Sequence, residues 1–159
     1  MEQIIIKGET KEEVYSELLP QIKSLIEGES DLIANLANVT SALKQAFPTF
    51  SWVGFYLMKG GELVLGPFQG KLACTRIKVG SGVCGTSALR KETIIVPNVE
   101  KFPGHIYCDP DSKSEIVVPI IKDGEVLGVL DIDSYELNNF DEVDKIYLEK
   151  IVNLLIEKF

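Results

Sequence analysis

Six side chains from the middle of the chain onward could do chemistry: the thiols of Cys74, Cys84 and Cys108 and the carboxyls of Glu115, Asp131 and Asp133. Thiolates are nucleophiles and electron carriers, while clustered carboxyls hold cations or donate protons. Brought together, they would form a redox pocket for a small cationic or zwitterionic molecule. Cys84 follows Gly80-Ser81-Gly82 in the first turn of a predicted helix. The helix field favours a thiolate there, so residue physics ranks Cys84 first as a nucleophile. Cys108 rides a long irregular stretch, with His105 and Lys113 near it in sequence. A cysteine that must attack a substrate and then meet a second thiol gains from that mobility. Cys74, between Leu72-Ala73 and Thr75-Arg76, has a neutral setting. The bland alternative for each is a small inert hydrophobe.

The acids depend on strand geometry. Along Val126 to Asp133, Val129, Asp131 and Asp133 share one face and Leu130 and Ile132 the other. Paired aspartates are tolerated in water or around a cation, and burial would raise at least one pKa. With a two-residue Asp123-Gly124 turn, Glu115 would face Ile132 and point away from the aspartates. An offset or bulge, which Pro119 favours because it has no N–H for the ladder, would return Glu115 to their face. Such an offset is expected.

These residues must be positioned by surrounding elements. Thr10 to Glu13 has capping-box spacing, and an apolar period then runs to about Glu27 before Gly28. A second helix is expected to start after Ser30 or Asp31 and to stop before Pro48, with Leu32, Ile33, Leu36, Val39, Leu43 and Phe47 on one stripe. Residues 51 to 58 read as a strand turned by Lys59-Gly60-Gly61 into residues 62 to 65, with Trp52 and Tyr56 on one face. A loop at Gly66 to Gly70, a strand over Leu72 to Val79, a helix over Val83 to Lys91 and a strand over Thr93 to Val96 follow. From Pro97 to about Lys113 the chain is irregular, a length typical of lids and binding loops. A hairpin of residues 115 to 121 and 125 to 133 precedes a C-terminal helix capped near Asp141, with Val143, Ile146, Tyr147, Ile151, Leu154 and Leu155 as its stripe. This order predicts an α+β fold: an antiparallel sheet with helices on one face and the pocket and loops on the other.

At 159 residues the chain has the length of one domain, expected over residues 1–159. Three cysteines without a CxxC pair, and a single histidine, argue against a disulfide framework or a zinc site, and the thiols are expected to be free in a reducing compartment. Neither a secretory leader nor a run of about 20 apolar residues is present, so a cytoplasmic location without membrane partners is expected. The net charge of −8, from 16 Lys+Arg against 24 Asp+Glu, would repel nucleic acid.

Taken together, Ser51-Trp-Val-Gly-Phe-Tyr56, Leu65 to Cys74, Gly80-Ser-Gly-Val-Cys-Gly-Thr86, Val96-Pro-Asn-Val99, Ser114 to Ile120, Gly128 to Ser134 and Phe140-Asp-Glu142 resemble the GAF-domain enzymes that reduce free methionine-(R)-sulfoxide. The resemblance runs from about residue 30 to the end, and all three cysteines fall in the family's contexts. It implies that Cys108 is the nucleophile, that Cys74 resolves it by forming a disulfide, and that Cys84 is a third cysteine of unsettled role. Whether Cys74 or Cys84 is the main resolving thiol stays open. It further implies that Trp52 and Tyr56 wall the S-methyl end of the substrate, and that Glu115, Asp131 and Asp133 hold its sulfoxide and ammonium. No bound cofactor or metal is implied; thioredoxin is the expected external reductant and a homodimer the expected assembly.

The rival is a sensor of the same fold binding a small ligand or cyclic nucleotide without catalysis, suggested by Asn139-Phe140-Asp141-Glu142. A phosphate wants basic groups or helix N-termini, whereas the three acids repel it. A peroxide sensor or thiol peroxidase would keep the cysteines but has no use for the aromatic wall.

Overall fold

The computed structural model describes residues 3–159. Helix α1 (Lys11–Glu27) opens on the expected capping box: Thr10 Oγ1 accepts the Glu13 N–H at 3.2 Å, and Glu13 accepts the Thr10 N–H at 3.0 Å. Helix α2 (Leu32–Ala46) starts at Asp31, whose carboxylate accepts the Ala34 N–H. Helix α4 (Glu142–Ile156) starts at Asp141. Two stripe residues are corrected: Ile33 and Ile146 are exposed, and α4 buries Leu148 and Val152 beside the expected Ile151 and Leu155.

The sheet contains β1 (Phe50–Lys59), β2 (Glu62–Gln69), β3 (Arg76–Lys78), β4 (Ile94–Val96), β5 (Ser114–Lys122) and β6 (Glu125–Ser134). Their order is β3-β2-β1-β6-β5-β4, antiparallel throughout. Where a loop was expected from Gly66, β2 continues to Gln69, because an extra residue near Gly66-Pro67 bulges out opposite Phe55 and pairing resumes at Gly54↔Phe68. The strand expected over Leu72 to Val79 is reduced to three residues. Residues 71 to 75 leave the sheet because aromatic side chains of β1 hydrogen-bond the carbonyls of Lys71 and Cys74.

One face of the sheet buries Val53, Phe55, Ile116, Val118, Leu130 and Ile132 against Leu18, Ile22, Leu36, Val39, Leu148 and Ile151 of α1, α2 and α4. The opposite face carries Trp52, Tyr56, Val117 and Val129, covered by Val83, Cys84 and Ala88 of α3 (Gly82–Arg90). The expectation that all helices share one face is thus corrected for α3. Strands β3 and β4 occupy opposite edges of the sheet, so their connection has to cross a face, and three helices already fill the other.

Candidate active site

Period-two alternation along β1 points Trp52 and Tyr56 away from the main core. Gly54 lies between them because a Cβ there would run into the Trp52 ring and lie 2.6 Å from Phe68 Cβ. The indole therefore lies across the strand, with ring centroids 6.0 Å from Tyr56 and 5.3 Å from Phe68. Trp52 Nε1 donates to the Lys71 carbonyl at 3.1 Å, and the Tyr56 hydroxyl donates to the Cys74 carbonyl at 2.9 Å. The aromatic wall thereby pins the segment that bears Cys74.

The β5–β6 hairpin supplies the acids. Its register runs Lys122↔Glu125 and Ile121↔Val126, then steps to Ile120↔Gly128, so Leu127 is an extra residue on β6. Glu115 consequently pairs with Asp133, and Val117 with Asp131, which puts Glu115 on the face of both aspartates. The expected offset is present, but Leu127 carries it while Pro119 pairs with Val129 in the ladder.

Glu115 and Asp131 are each 6% exposed, and Asp133 is half-buried. Burial, and then the neighbouring Asp133, pushes Glu115 up to about 8. Burial followed by the Glu115 charge raises Asp131, and burial followed by Asp131 and Asp109 raises Asp133. Carboxyls so placed hold their protons to higher pH than isolated ones would, and Glu115 keeps its proton at neutral pH. Among the described residues Asp131 Oδ1 has no hydrogen-bond partner.

Cys84 is a free, buried thiol in the first turn of α3. Its ranking as first nucleophile is overturned: burial, then Asp131 and Glu115, pushes its pKa well above the ordinary value. A helix N-terminus favours a thiolate by about 0.3–1 kcal/mol, whereas full burial disfavours an ionised group by up to about 4–7 kcal/mol. Desolvation wins, and Cys84 stays protonated. Cys84, Glu115 and Asp131 also bring one donor atom each within 4.8 Å of one another, a convergence of possible metal ligands invisible in their sequence spacing.

Cys74 and Cys108 are joined in a disulfide, with Cα atoms 5.5 Å apart across a sequence separation of 34. The expectation that the thiols are free is corrected for these two. The loop that carries Cys108 is tied at its base by Val99 N–H to the Lys113 carbonyl and Lys113 N–H to the Ser134 carbonyl. Past Cys108, Asp109 accepts from the Tyr135 hydroxyl at 2.8 Å, and Lys71 Nζ reaches Asp111 at 3.0 Å.

Trp52, Tyr56, Cys84, Cys108, Glu115, Asp131 and Asp133 all line one recess of about 40 Å³, and Cys74 adjoins it through its bond to Cys108. With the disulfide formed, that space holds a few waters at most. One neighbour escapes the sequence reading, and another is named there without its partner. Phe68 falls in an expected loop, and the continuation of β2 brings it onto Trp52. His105 is close to Cys108 in sequence, yet its contact is with an acid: its Nε2 lies 3.3 Å from Glu115 Oε2, its Nδ1 is buried without a partner, and burial lowers its pKa. A lone histidine three residues before a loop cysteine was the available signal.

A family model described as GAF domain matches residues 29–155. The chain is 60% identical over 152 residues to GAF domain-containing protein A of Dictyostelium discoideum, covering 95% of each protein. It is 49% identical over 153 residues to the free methionine-R-sulfoxide reductase of Saccharomyces cerevisiae, covering 91% of this chain and 85% of the yeast protein. Its fold matches that of the free methionine-R-sulfoxide reductase from Neisseria meningitidis in complex with its substrate, with a TM-score of 0.98 and 47% identity, over 100% of this chain and 96% of that one.

Proposed function

The chain belongs to the GAF domain family, and on that premise we propose that it reduces free L-methionine-(R)-sulfoxide to methionine through cysteine sulfenic acid and disulfide chemistry. The observation that carries this reading is the Cys74–Cys108 disulfide at the wall of an acidic, aromatic-lined recess. An inert core thiol would form no such bond, and a phosphate-binding sensor would not line its pocket with three carboxyls.

In the proposed cycle the Cys108 thiolate attacks the sulfoxide sulfur, a proton is delivered to the oxygen, methionine departs, and Cys108 is left as the sulfenic acid. The Cys74 thiol condenses with it, forming the disulfide and releasing water. A carboxylic acid in the Glu115, Asp131 and Asp133 cluster supplies the proton, since unprotonated oxide is a very poor leaving group. Support comes from their raised pKa values. The remaining carboxylate charge receives the substrate ammonium, a role that suits the unpartnered Asp131 Oδ1. Trp52 and Tyr56 contact the S-methyl end. Buried Cys84 is assigned to the cluster's hydrogen bonding, not to attack. Because the oxidised recess is too small for an amino acid, the loop bearing Cys108 opens on reduction.

The wider reading is one GAF domain over residues 1–159, thioredoxin as reductant, no bound cofactor, a homodimer and a cytoplasmic location. Among the described residues no helix is long and apolar enough to cross a membrane. Exposed Ile33 and Ile146 on α2 and α4 are available to a second copy.

The test is an NADPH-coupled thioredoxin assay with the separate R and S forms of free methionine sulfoxide, together with a peptide-bound substrate. Turnover of the free R form alone is expected, since a peptide amide cannot supply the ammonium. Cys108→Ser should abolish activity, and Cys74→Ser should complete roughly one turnover and stall. Normal steady-state turnover by Cys108→Ser would move the nucleophile elsewhere.

A further inference from the structure

Cys108 lies between two depressions. On its inner side is the recess; on its outer side is an open surface groove formed by Gly70, Lys71, Leu72, Asp109, Pro110 and Asp111. Cys108 lines both, and Cys74 lines neither. Leu72, 90% exposed, stands at the groove. Lys71 Nζ sits 3.8 Å from Asp109 and 3.0 Å from Asp111, so one cation faces two carboxylates and the groove keeps an excess negative charge.

We propose that this outer groove docks a protein dithiol of the Cys-Xaa-Xaa-Cys class, and that the partner's thiolate attacks Cys108, not Cys74. The proposal rests on the reading above, in which the Cys74–Cys108 bond is the product of turnover. The inner route is closed to a protein, because the recess is only about 40 Å³. The groove suits a dithiol face that is apolar around its cysteine and carries a basic side chain. The apolar surface meets Leu72, and the cation meets Asp111 while also lowering the pKa of the attacking thiol.

The exchange balances. The partner's thiolate bonds to Cys108 Sγ, the Cys74–Cys108 bond breaks, and Cys74 leaves as a thiolate that takes a proton. The partner's second thiolate then attacks its own partnered sulfur. Cys108 is released as a thiolate facing the recess, and the partner departs as a disulfide, having given up two electrons.

The test mixes oxidised protein with a thioredoxin whose second active-site cysteine is replaced by serine, quenches rapidly in acid, alkylates free thiols and maps the mixed disulfide by mass spectrometry. The adduct is expected on Cys108 with Cys74 alkylated. An adduct on Cys74 or Cys84 overturns the proposal, as does no adduct in protein whose disulfide intact thioredoxin reduces. A second measurement uses Asp111→Arg, which lies in the groove and not in the recess. Its KM for thioredoxin should rise about 5-fold or more, while dithiothreitol-reduced protein consumes sulfoxide in a single turnover at the wild-type rate. An unchanged KM removes the groove as the docking surface. Loss of that single turnover in the wild-type protein would instead refute the reductase reading itself, so the two failures are separable.

Discussion

At the scale of single residues, the site works by denying charge to groups that would carry it in water. Glu115 is pushed up to about 8 by burial and by Asp133, so it holds a proton at neutral pH. If that proton goes to the sulfoxide oxygen, single-turnover rates of reduced protein should fall as pH rises through about 8, and Glu115→Gln should lower the rate by about 100-fold or more. A Glu115→Gln variant with the wild-type rate and pH profile would exclude it as the donor. Asp131 has a different role to test. Asp131→Asn should raise KM by about 10- to 100-fold with a smaller change in kcat, the size expected for losing a charge-assisted bond to an ammonium. An unaffected KM would remove Asp131 from that role. Gly54 tests the aromatic wall without touching an acid: Gly54→Ala must displace the Trp52 ring, so KM should rise while the disulfide still forms in the oxidised protein.

At the scale of elements, the alternation of β1 and β6 was legible because period-two patterning fixes which side chains share a face whatever the strand pairs with. The capping box at Thr10 and the polar cap near Asp141 were legible for a similar reason, since they are local. Three features were not. The path of residues 71 to 75 is set by hydrogen bonds from Trp52 and Tyr56, 19 and 18 residues earlier in the chain than the carbonyls they bind, so local β propensity misreads it as strand. The bulge expected from Asp123-Gly124 and Pro119 forms at Leu127, because strand alternation shows that an offset is needed without showing where it sits. The state of Cys84 depends on carboxyls brought to it by another pair of strands, which no helix-dipole argument contains. The same non-local logic governs the loop from Pro97 to Lys113, tied at its base to β6 and near its tip by the bond to Cys74. Reduction should release the tip and leave the base. Hydrogen exchange should therefore rise around residues 103 to 111 on adding dithiothreitol, with α1, α2 and α4 unchanged; equal protection in both redox states would show that the loop does not open.

At the scale of the whole molecule, the two faces of the sheet have opposite energetic roles. The face under α1, α2 and α4 is apolar and is fastened at its edge by Asp144, which accepts from the Tyr15 hydroxyl at 2.7 Å and pairs with Lys11 at 2.6 Å. The other face buries carboxyls that folding must either neutralise or leave charged against one another. A carboxyl whose pKa is higher folded than unfolded binds more protons in the folded state, so its contribution is fully present below the unfolded value and is lost as pH rises through the folded one. For Glu115 that window runs from 4.5 to about 8, and Asp131 and Asp133 are raised in the same direction. Each tenfold gain in proton affinity on folding corresponds to about 1.4 kcal/mol, and each kcal/mol to about 2–4 °C in Tm for a chain of this size. The Tm of the oxidised protein should therefore fall by at least about 5 °C between pH 5 and 8, and Glu115→Gln should flatten that slope and raise Tm at pH 8. Such a variant would be more stable and less active, as expected where a site stores its proton in a buried acid that the apolar face must hold in place. A Tm independent of pH across this range, in both proteins, would mean that the three carboxyls are solvated and that the acid chemistry assigned to them has no physical basis.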